Sequence, residues 1–165
     1  MPEPIRCWTS KDPAYNAYHD EEWGRPVTDE RGLLERFCLE GFQSGLSWLT
    51  ILRKRPAFRA AFADFEPEAV AQFGPRDVER LLGDAGIVRH RGKIEAKIAN
   101  ARAFLDVRRE HRTFARDITS FSSPEAMSKD LQKRGFRFVG PTICEAFMQA
   151  IGMIDAHEAT CFRRR

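Results

Sequence analysis

Apolar residues recur at helical spacing along almost the whole sequence, and this period constrains the fold more than any other feature. It is clearest over residues 91–110, where Ile94, Ile98, Ala101 and Leu105 form one stripe opposite lysines and arginines. No segment shows a convincing alternation of apolar and polar residues, which half-buried strands require. The sequence therefore predicts an all-α fold.

Residues that start and stop helices divide this periodic sequence into segments. Asp29 precedes an apolar stripe and is an N-cap candidate, and Ser123 with Pro124 is a cap followed by a first-turn proline. Gly135 follows that segment at a place where a helix would end. Further helices are predicted to begin at Pro67, Pro75 and Pro141, the last of them running to Gly152.

Size and composition fit one domain over residues 1–165. With 42% hydrophobic residues the chain can bury a core, and no apolar run is long enough for a membrane helix. The first residues lack the apolar core of a signal peptide, so we expect a cytoplasmic protein. Reduced cysteines are expected there, and Cys38 and Cys144 lie inside apolar patterns typical of a core.

The net charge of the chain does not identify the class of molecule that it binds. A net charge of +3 permits a polyanionic partner without requiring one. Any single basic run is more simply explained as a solvated face. The basic runs lie at residues 53–55, 89–93, 133–137 and 163–165.

A glycine-bounded hairpin at residues 134–140 joins two predicted helices, within an element of about residues 124–152. Glycines allow a tight turn to present backbone N–H groups, and the helix beginning at Pro141 adds its positive N-terminal end. Such a unit can hold a DNA phosphate without reading sequence. The alternative is an ordinary helical hairpin closed by its aromatic residues, and the pattern alone does not decide between them. The residues predicted to hold DNA here are Lys133, Arg134, Gly135, Arg137 and Gly140.

Aromatic residues cluster near the N-terminus, and an isolated carboxylate follows them. Tyr15 and Tyr18 would share one face of a helix, which is typical of core packing as well as of a binding pocket. Glu40 lies at the end of an apolar helix, where periodicity favours a surface position. The glycines at 41 and 45 favour a site instead, because they permit a ligand to approach the backbone.

Four separated motifs occur in one order: residues 12–24, 38–48, 84–93 and 133–144. In that order they resemble the 3-methyladenine DNA glycosylase I family, and the likeness extends from about Arg6 to Cys161. The resemblance implies the helical fold of the helix–hairpin–helix glycosylases, with a base pocket between lobes. It also implies hydrolysis of the N-glycosidic bond of 3-methyladenine in alkylated duplex DNA, and binding to DNA would associate the protein with the nucleoid. Nothing in the sequence suggests more than a monomer.

The resemblance implies roles for particular residues. Glu40 would accept hydrogen bonds from the amino edge of a flipped base, and Tyr18 and Trp48 would enclose its ring. Tyr15 and Trp23 would complete the base pocket, and Leu46 would push into the gap left in the duplex. No lysine stands out as a Schiff-base nucleophile, so the enzyme is expected to be monofunctional. Asp155 lies where the wider superfamily has a catalytic aspartate, but we expect it to be structural.

Two cysteines and two histidines lie near the chain ends. Spacing alone is a weak signal for a metal, since no C-x-x-C pair exists, although His157 and Cys161 would share one face of a helix. The resemblance implies that Cys7, His19, His157 and Cys161 bind a structural Zn²⁺ that joins the termini. The segment from Cys7 to His19 is one residue shorter than the usual family spacing. Either its loop adjusts or the site is weaker.

A second hypothesis is a non-catalytic helix–hairpin–helix module that binds DNA. Such a module needs the hairpin at residues 134–140 but no acidic aromatic pocket around Glu40. The two hypotheses therefore differ at Glu40 and the aromatic residues around it.

Overall fold

The computed structural model describes residues 2–165 and confirms the predicted all-α fold, with no strand over those residues. A π-helical turn, Tyr18–Glu22, follows the first α-helix, and a 3₁₀ turn, Ala63–Phe65, follows the third. The α-helices of residues 2–165 are α1 Pro13–Ala17, α2 Glu30–Phe42, α3 Trp48–Ala61, α4 Pro67–Ala71, α5 Pro75–Leu82, α6 Arg91–His111, α7 Phe114–Ile118, α8 Pro124–Lys133 and α9 Pro141–Ala150.

The helices begin where their local sequence predicts. The Asp29 carboxylate accepts a hydrogen bond from the Gly32 amide at 2.9 Å, which caps α2. The Ser123 hydroxyl accepts from the Ala126 amide at 3.1 Å, which caps α8. First-turn prolines open α4, α5, α8 and α9, because a proline at that position loses no intrahelical hydrogen bond.

Helix α2 runs through the centre of the molecule and contacts α3, α6, α7 and α9. Its apolar residues face neighbours on nearly every side, and Phe37 packs edge-on against Phe147 of α9 at a centroid distance of 5.0 Å. Cys38 and Cys144 are fully buried, as predicted. None of the helices over residues 2–165 combines the length and apolar character that a membrane crossing needs.

Arginine–carboxylate pairs hold the N-terminal segment to this bundle, and Glu22 pairs with two arginines. Glu22, at the end of the π-helical turn, accepts hydrogen bonds from Arg55 of α3 at 2.6 and 2.8 Å and from Arg36 of α2 at 3.3 Å. A bidentate arginine–carboxylate pair that is partly buried holds its geometry well. The turn therefore directs Tyr18 and His19 inward, where both are almost fully buried.

The C-terminal segment returns to the N-terminus without forming a helix. Helix α9 ends at Ala150, and Gly152 turns the chain with a φ of +80°. The prediction that His157 and Cys161 share a helical face is therefore wrong, because turns and not a helix carry them. The Phe162 amide donates to the Ile5 carbonyl at 2.9 Å, so the two chain ends lie side by side.

Gly152 offers a test of this chain reversal. A Cβ at Gly152 would lie 2.7 Å from the Gly24 carbonyl oxygen, which belongs to backbone that cannot move aside. Gly45 has nearly the same φ, +81° against +80°, and open space around it. We expect Gly152→Ala to lower the free energy of unfolding by about 2 kcal/mol more than Gly45→Ala does. Urea denaturation of both variants measures this difference, and equal losses would contradict the packing described here.

Candidate functional site

One cavity of about 150 Å³ collects the side chains that the sequence assigned to a base pocket. It lies between the N-terminal segment, the end of α2, the start of α3 and one face of α9. Because α9 is far from the other three elements in the sequence, only the packing of the bundle brings its face to them. The residues that line it are Trp8, Tyr15, Tyr18, Trp23, Glu40, Gln43, Trp48, Ala146 and Gln149.

Two aromatic groups form the walls of the cavity. Trp8 packs against Tyr15 and Trp23 at centroid distances of 5.0 and 5.1 Å. Tyr18 packs against Trp48 at 5.3 Å. The indole N–H groups of Trp8 and Trp48 are buried and have no hydrogen-bond partner over residues 2–165. The walls of the cavity therefore offer π faces to a ligand.

Glu40 places a carboxylate inside this aromatic enclosure. Its exposed fraction is 5%, so the surface position that periodicity favoured is wrong. The reason is that α2 is surrounded at its C-terminal end, so even its polar side faces protein. Burial raises the pKa of Glu40 to about 7, and the nearby positive charge of Arg36 counters that rise. Burial and the charge of Glu40 also raise the pKa of Tyr18.

A second cavity of about 320 Å³ adjoins the first and leads outward. The two share Glu40, Gln43 and Ala146, so together they form a continuous path to the carboxylate. Leu46 lies at the outer end, on the turn of residues 43–46, with 41% of its surface exposed. Leu46 thus places an apolar side chain at the entrance of the path to Glu40.

The hairpin of residues 134–140 lies between α8 and α9, as its sequence predicts. Gly135 has a φ of +96°, and a side chain at Gly135 or Gly140 would meet open space. Lys133 and Arg137 are exposed and make no ion pair over the described residues 2–165. Arg134 differs, since its guanidinium donates to Glu110 and Asp130 at 2.8 Å and its charge is matched within the protein.

The aromatic residues of the hairpin divide between two roles. Phe136 and Val139 are buried, which agrees with the interpretation that they close the turn. Phe138 is 39% exposed and has a φ of +55°, so it does not serve that purpose.

Three of the four predicted metal ligands meet where the chain ends meet. The ligand atoms of Cys7, His19 and Cys161 lie within 4.8 Å of one another, so this group can hold a metal ion. The Nε2 atom of His19 lies 3.4 Å from the Cys161 sulfur. Its Nδ1 atom is 2.8 Å from Asp20, and a carboxylate there leaves Nε2 free to bind a metal.

His157 lies beside this group with its ring 5.7 Å from that of His19. Its Nδ1 atom is 2.7 Å from Asp155, the same arrangement that His19 has with Asp20. Its Nε2 atom is buried without a partner, which a metal would supply. Asp155 is thus occupied by His157 and by the Arg165 amide at 2.9 Å, which agrees with the structural role expected for it.

Sequence reasoning missed several lining residues of the pocket. Trp8 follows Cys7 and is one of only three tryptophans, so a search for aromatic residues beside the predicted ligand could have found it. Gln43 and Gln149 carry no such signal, since each is a polar residue on a helix or at its end. His90 lies outside the pocket, and its ring caps α6 by accepting from the Lys93 amide at 3.0 Å.

A family model, curated relatives and solved structures that match this chain are all methyladenine glycosylases. The methyladenine glycosylase family model matches residues 8–126 and 119–164. The chain is 49% identical to DNA-3-methyladenine glycosylase 1 of Escherichia coli over 94% of this chain and 95% of that one. A crystal structure of 3-methyladenine DNA glycosylase I superposes with a TM-score of 0.92 at 46% identity, covering 98% of this chain and 100% of the other. A structure describing 3-methyladenine recognition by the Staphylococcus aureus 3-methyladenine DNA glycosylase I gives a TM-score of 0.90 at 36% identity, with 94% of each chain covered.

The burial of Glu40 should cost stability in a pH-dependent way. The pKa of its carboxyl is about 7 in the folded protein, above the ordinary value of 4.5, so its burial penalty is small at pH 5 and full at pH 8. Glu40→Gln removes that penalty. We expect the variant to gain about 2 kcal/mol more over the wild type at pH 8 than at pH 5.

Chemical denaturation at the two pH values measures this gain. The exposed Glu66 provides the matched control, since Glu66→Gln makes the same chemical change outside the cavity and should give no pH-dependent gain. A gain for Glu40→Gln that is the same at pH 5 and pH 8 would contradict a raised pKa at this site.

Proposed function

The chain belongs to the methyladenine glycosylase family, and from that premise we propose that it hydrolyses the N-glycosidic bond of 3-methyladenine in alkylated duplex DNA. The product would be an abasic site in an uncut strand. The observation that carries this proposal is a buried carboxylate, Glu40, inside a cavity walled by tyrosine and tryptophan rings. A non-catalytic module that binds DNA through its hairpin has no use for that enclosure.

The cavity suits a base that carries a positive charge. A 3-methylated adenine in DNA is cationic, and aromatic faces attract cations most strongly where water is excluded. The Glu40 carboxylate adds an opposite charge, which in this desolvated setting interacts more strongly than it would in water. Normal adenine is neutral and would gain neither attraction, so charge complementarity supports selection of the damaged base.

Hydrolysis of this glycosidic bond needs little help from a general acid. When the bond between the sugar C1′ and the base nitrogen breaks, its electron pair neutralises the cationic base, which leaves without a proton. Water then bonds to C1′ and loses a proton to solvent. Glu40 would stabilise the positive charge that develops on the sugar. No lysine lines either cavity beside Glu40 in residues 2–165, which supports a monofunctional enzyme.

The DNA would contact the surface around the mouth of the cavity. The base must leave the helical stack to reach Glu40, and Leu46 at the entrance is suited to fill the space it leaves. Lys133 and Arg137, with the open backbone at Gly135 and Gly140, would hold phosphate. Arg134 would contribute less, because its charge is already matched. We expect a monomer that works on chromosomal DNA in the cytoplasm.

The cluster at the chain ends is proposed to bind Zn²⁺ through Cys7, His19, His157 and Cys161. Two thiolates and two imidazoles suit zinc in a closed tetrahedral site, and such a site supplies folding free energy with no open position for catalysis. Asp20 and Asp155 would orient the two imidazoles.

Base release from methylated duplex DNA tests the proposed activity. We expect the wild type to release 3-methyladenine, detected by chromatography, without cutting the strand. Glu40→Gln should slow release about a hundredfold, because it removes the charge that faces the sugar and base. Duplex affinity should stay within about twofold, since the hairpin is untouched. Glu66→Gln should release base at the wild-type rate.

The opposite results are informative. Folded, metal-replete wild type that releases no 3-methyladenine would leave the non-catalytic module as the better description. Release by Glu40→Gln at the wild-type rate would remove Glu40 from its role.

Metal analysis tests the zinc site. We expect about one zinc atom per chain in the wild type, and clearly less in His157→Ala together with a lower melting temperature. His111→Ala is the matched control, since His111 lies away from the cluster, near Asp117 at 3.3 Å, and should keep its zinc. Full zinc loading in purified His157→Ala would show that His157 is not a ligand.

A further inference from the structure

Three polar side chains lie buried on one face of α6: Lys93, Lys97 and Asn100. Their exposed fractions are 6%, 0% and 1%, and they are spaced four and three residues apart, so they form one stripe along the helix. Burying two ammonium groups and an amide is costly unless they make contacts that repay the loss of water. Neither lysine has a carboxylate partner in residues 2–165, so other contacts must compensate for the burial of these ammonium groups.

Lys93 holds the turn that carries Leu46. Its ammonium group donates to the carbonyl oxygens of Phe42 at 3.0 Å and Ser44 at 2.6 Å. These carbonyls belong to the end of α2 and the turn that follows, where a helix presents its negative end and favours a cation. One side chain of α6 therefore sets the position of the segment between Glu40 and Leu46.

Asn100 holds the hairpin at the other end of the stripe. Its side chain donates to the Arg137 carbonyl oxygen at 3.0 Å and accepts from the Arg137 amide at 2.8 Å. This reciprocal pair satisfies both backbone groups of one hairpin residue. The hairpin backbone at Arg137 is thereby fixed to the same helix that fixes the Leu46 turn.

Lys97 fills the space between these two attachments. Its ammonium group lies 5.3 Å from the centroid of the Phe42 ring and 5.4 Å from that of Phe138, and it makes no hydrogen bond within residues 2–165. A Cβ at Gly41 would lie only 2.0 Å from the ammonium nitrogen. The end of α2 and the hairpin thus approach each other around a buried cation held by two aromatic rings.

We infer that Lys93, Lys97 and Asn100 are positioning residues that fix the Leu46 turn at a set distance from the hairpin. Seven residues of α-helix span about 10 Å, and a helix is stiff over that length. Leu46 can fill the gap in the duplex only if the hairpin holds the neighbouring phosphate at the matching distance. This inference rests on the proposed function, because the entry of Leu46 into the duplex and phosphate binding by the hairpin are both part of that function.

A stripe that served only to stabilise the fold would have a uniform effect on DNA binding. A positioning stripe would have a selective one, since Lys93 acts on the turn that enters the duplex and Asn100 on the hairpin that grips the backbone. Affinity for two duplexes separates these cases. One contains a tetrahydrofuran abasic-site analogue, which leaves a gap for Leu46, and the other is the same sequence undamaged.

We expect Lys93→Met to lower the ratio of abasic to undamaged duplex affinity about tenfold, because Leu46 no longer stands ready to enter the gap. Asn100→Ala should weaken both duplexes by a similar factor and leave the ratio unchanged. Arg109→Ala, on the exposed end of the same helix, is the control and should change neither affinity. Fluorescence anisotropy with labelled duplexes gives all of these values.

Lys93→Gln keeps a donor of shorter reach and serves as the second variant if Lys93→Met does not fold. If a folded Lys93 variant has a ratio of abasic to undamaged duplex affinity within twofold of the wild type, the inference is overturned. It is also overturned if both variants fail to fold, because the stripe would then determine folding alone. Wild type that releases no base and binds both duplexes equally contradicts the proposed function itself. Active wild type with an unchanged ratio in the variant contradicts only the positioning role.

Discussion

The burial of the Glu40 carboxylate at the end of α2 is the constraint on which the rest of the structure depends. A carboxylate is costly to remove from water, and its raised pKa of about 7 reflects that cost. The surrounding elements must therefore hold it in place, and the positive charge of Arg36 one helical turn away offsets part of the penalty. Stability given up at such a position is typical of a site that must bind a charged ligand.

The walls around that carboxylate depend on the meeting of the chain ends. Trp8 packs edge-on against His19 at a centroid distance of 4.6 Å, and Trp23 against His157 at 4.8 Å. Each tryptophan presents one side to the cavity and another to a histidine of the terminal cluster. The cluster that joins the termini therefore lies behind two of the cavity walls, which explains how short helices and turns can support a defined pocket.

Much of the fold and part of the site could be predicted from sequence. Caps such as Asp29 and Ser123 act within a few residues of themselves, so helix starts follow from local chemistry. The position of Glu40 could not be obtained in this way, since a helical period assumes one buried face and α2 is enclosed on almost all sides. The prediction that His157 and Cys161 share a helical face failed because α9 ends before them, and Gly152, in the left-handed region, turns the chain.

The sequence by itself determined an all-α chain, the starts of several of its helices, the hairpin before α9 and, through the order of its motifs, the family. Local propensities and residue order carry that information without knowledge of contacts. Only the tertiary structure decided that Glu40 is buried, that Trp8 joins the pocket, and that Lys93 reaches the turn before Leu46. Burial, pKa and hydrogen bonding over fifty residues of separation depend on which surfaces the packed helices cover, and that is a property of the whole fold.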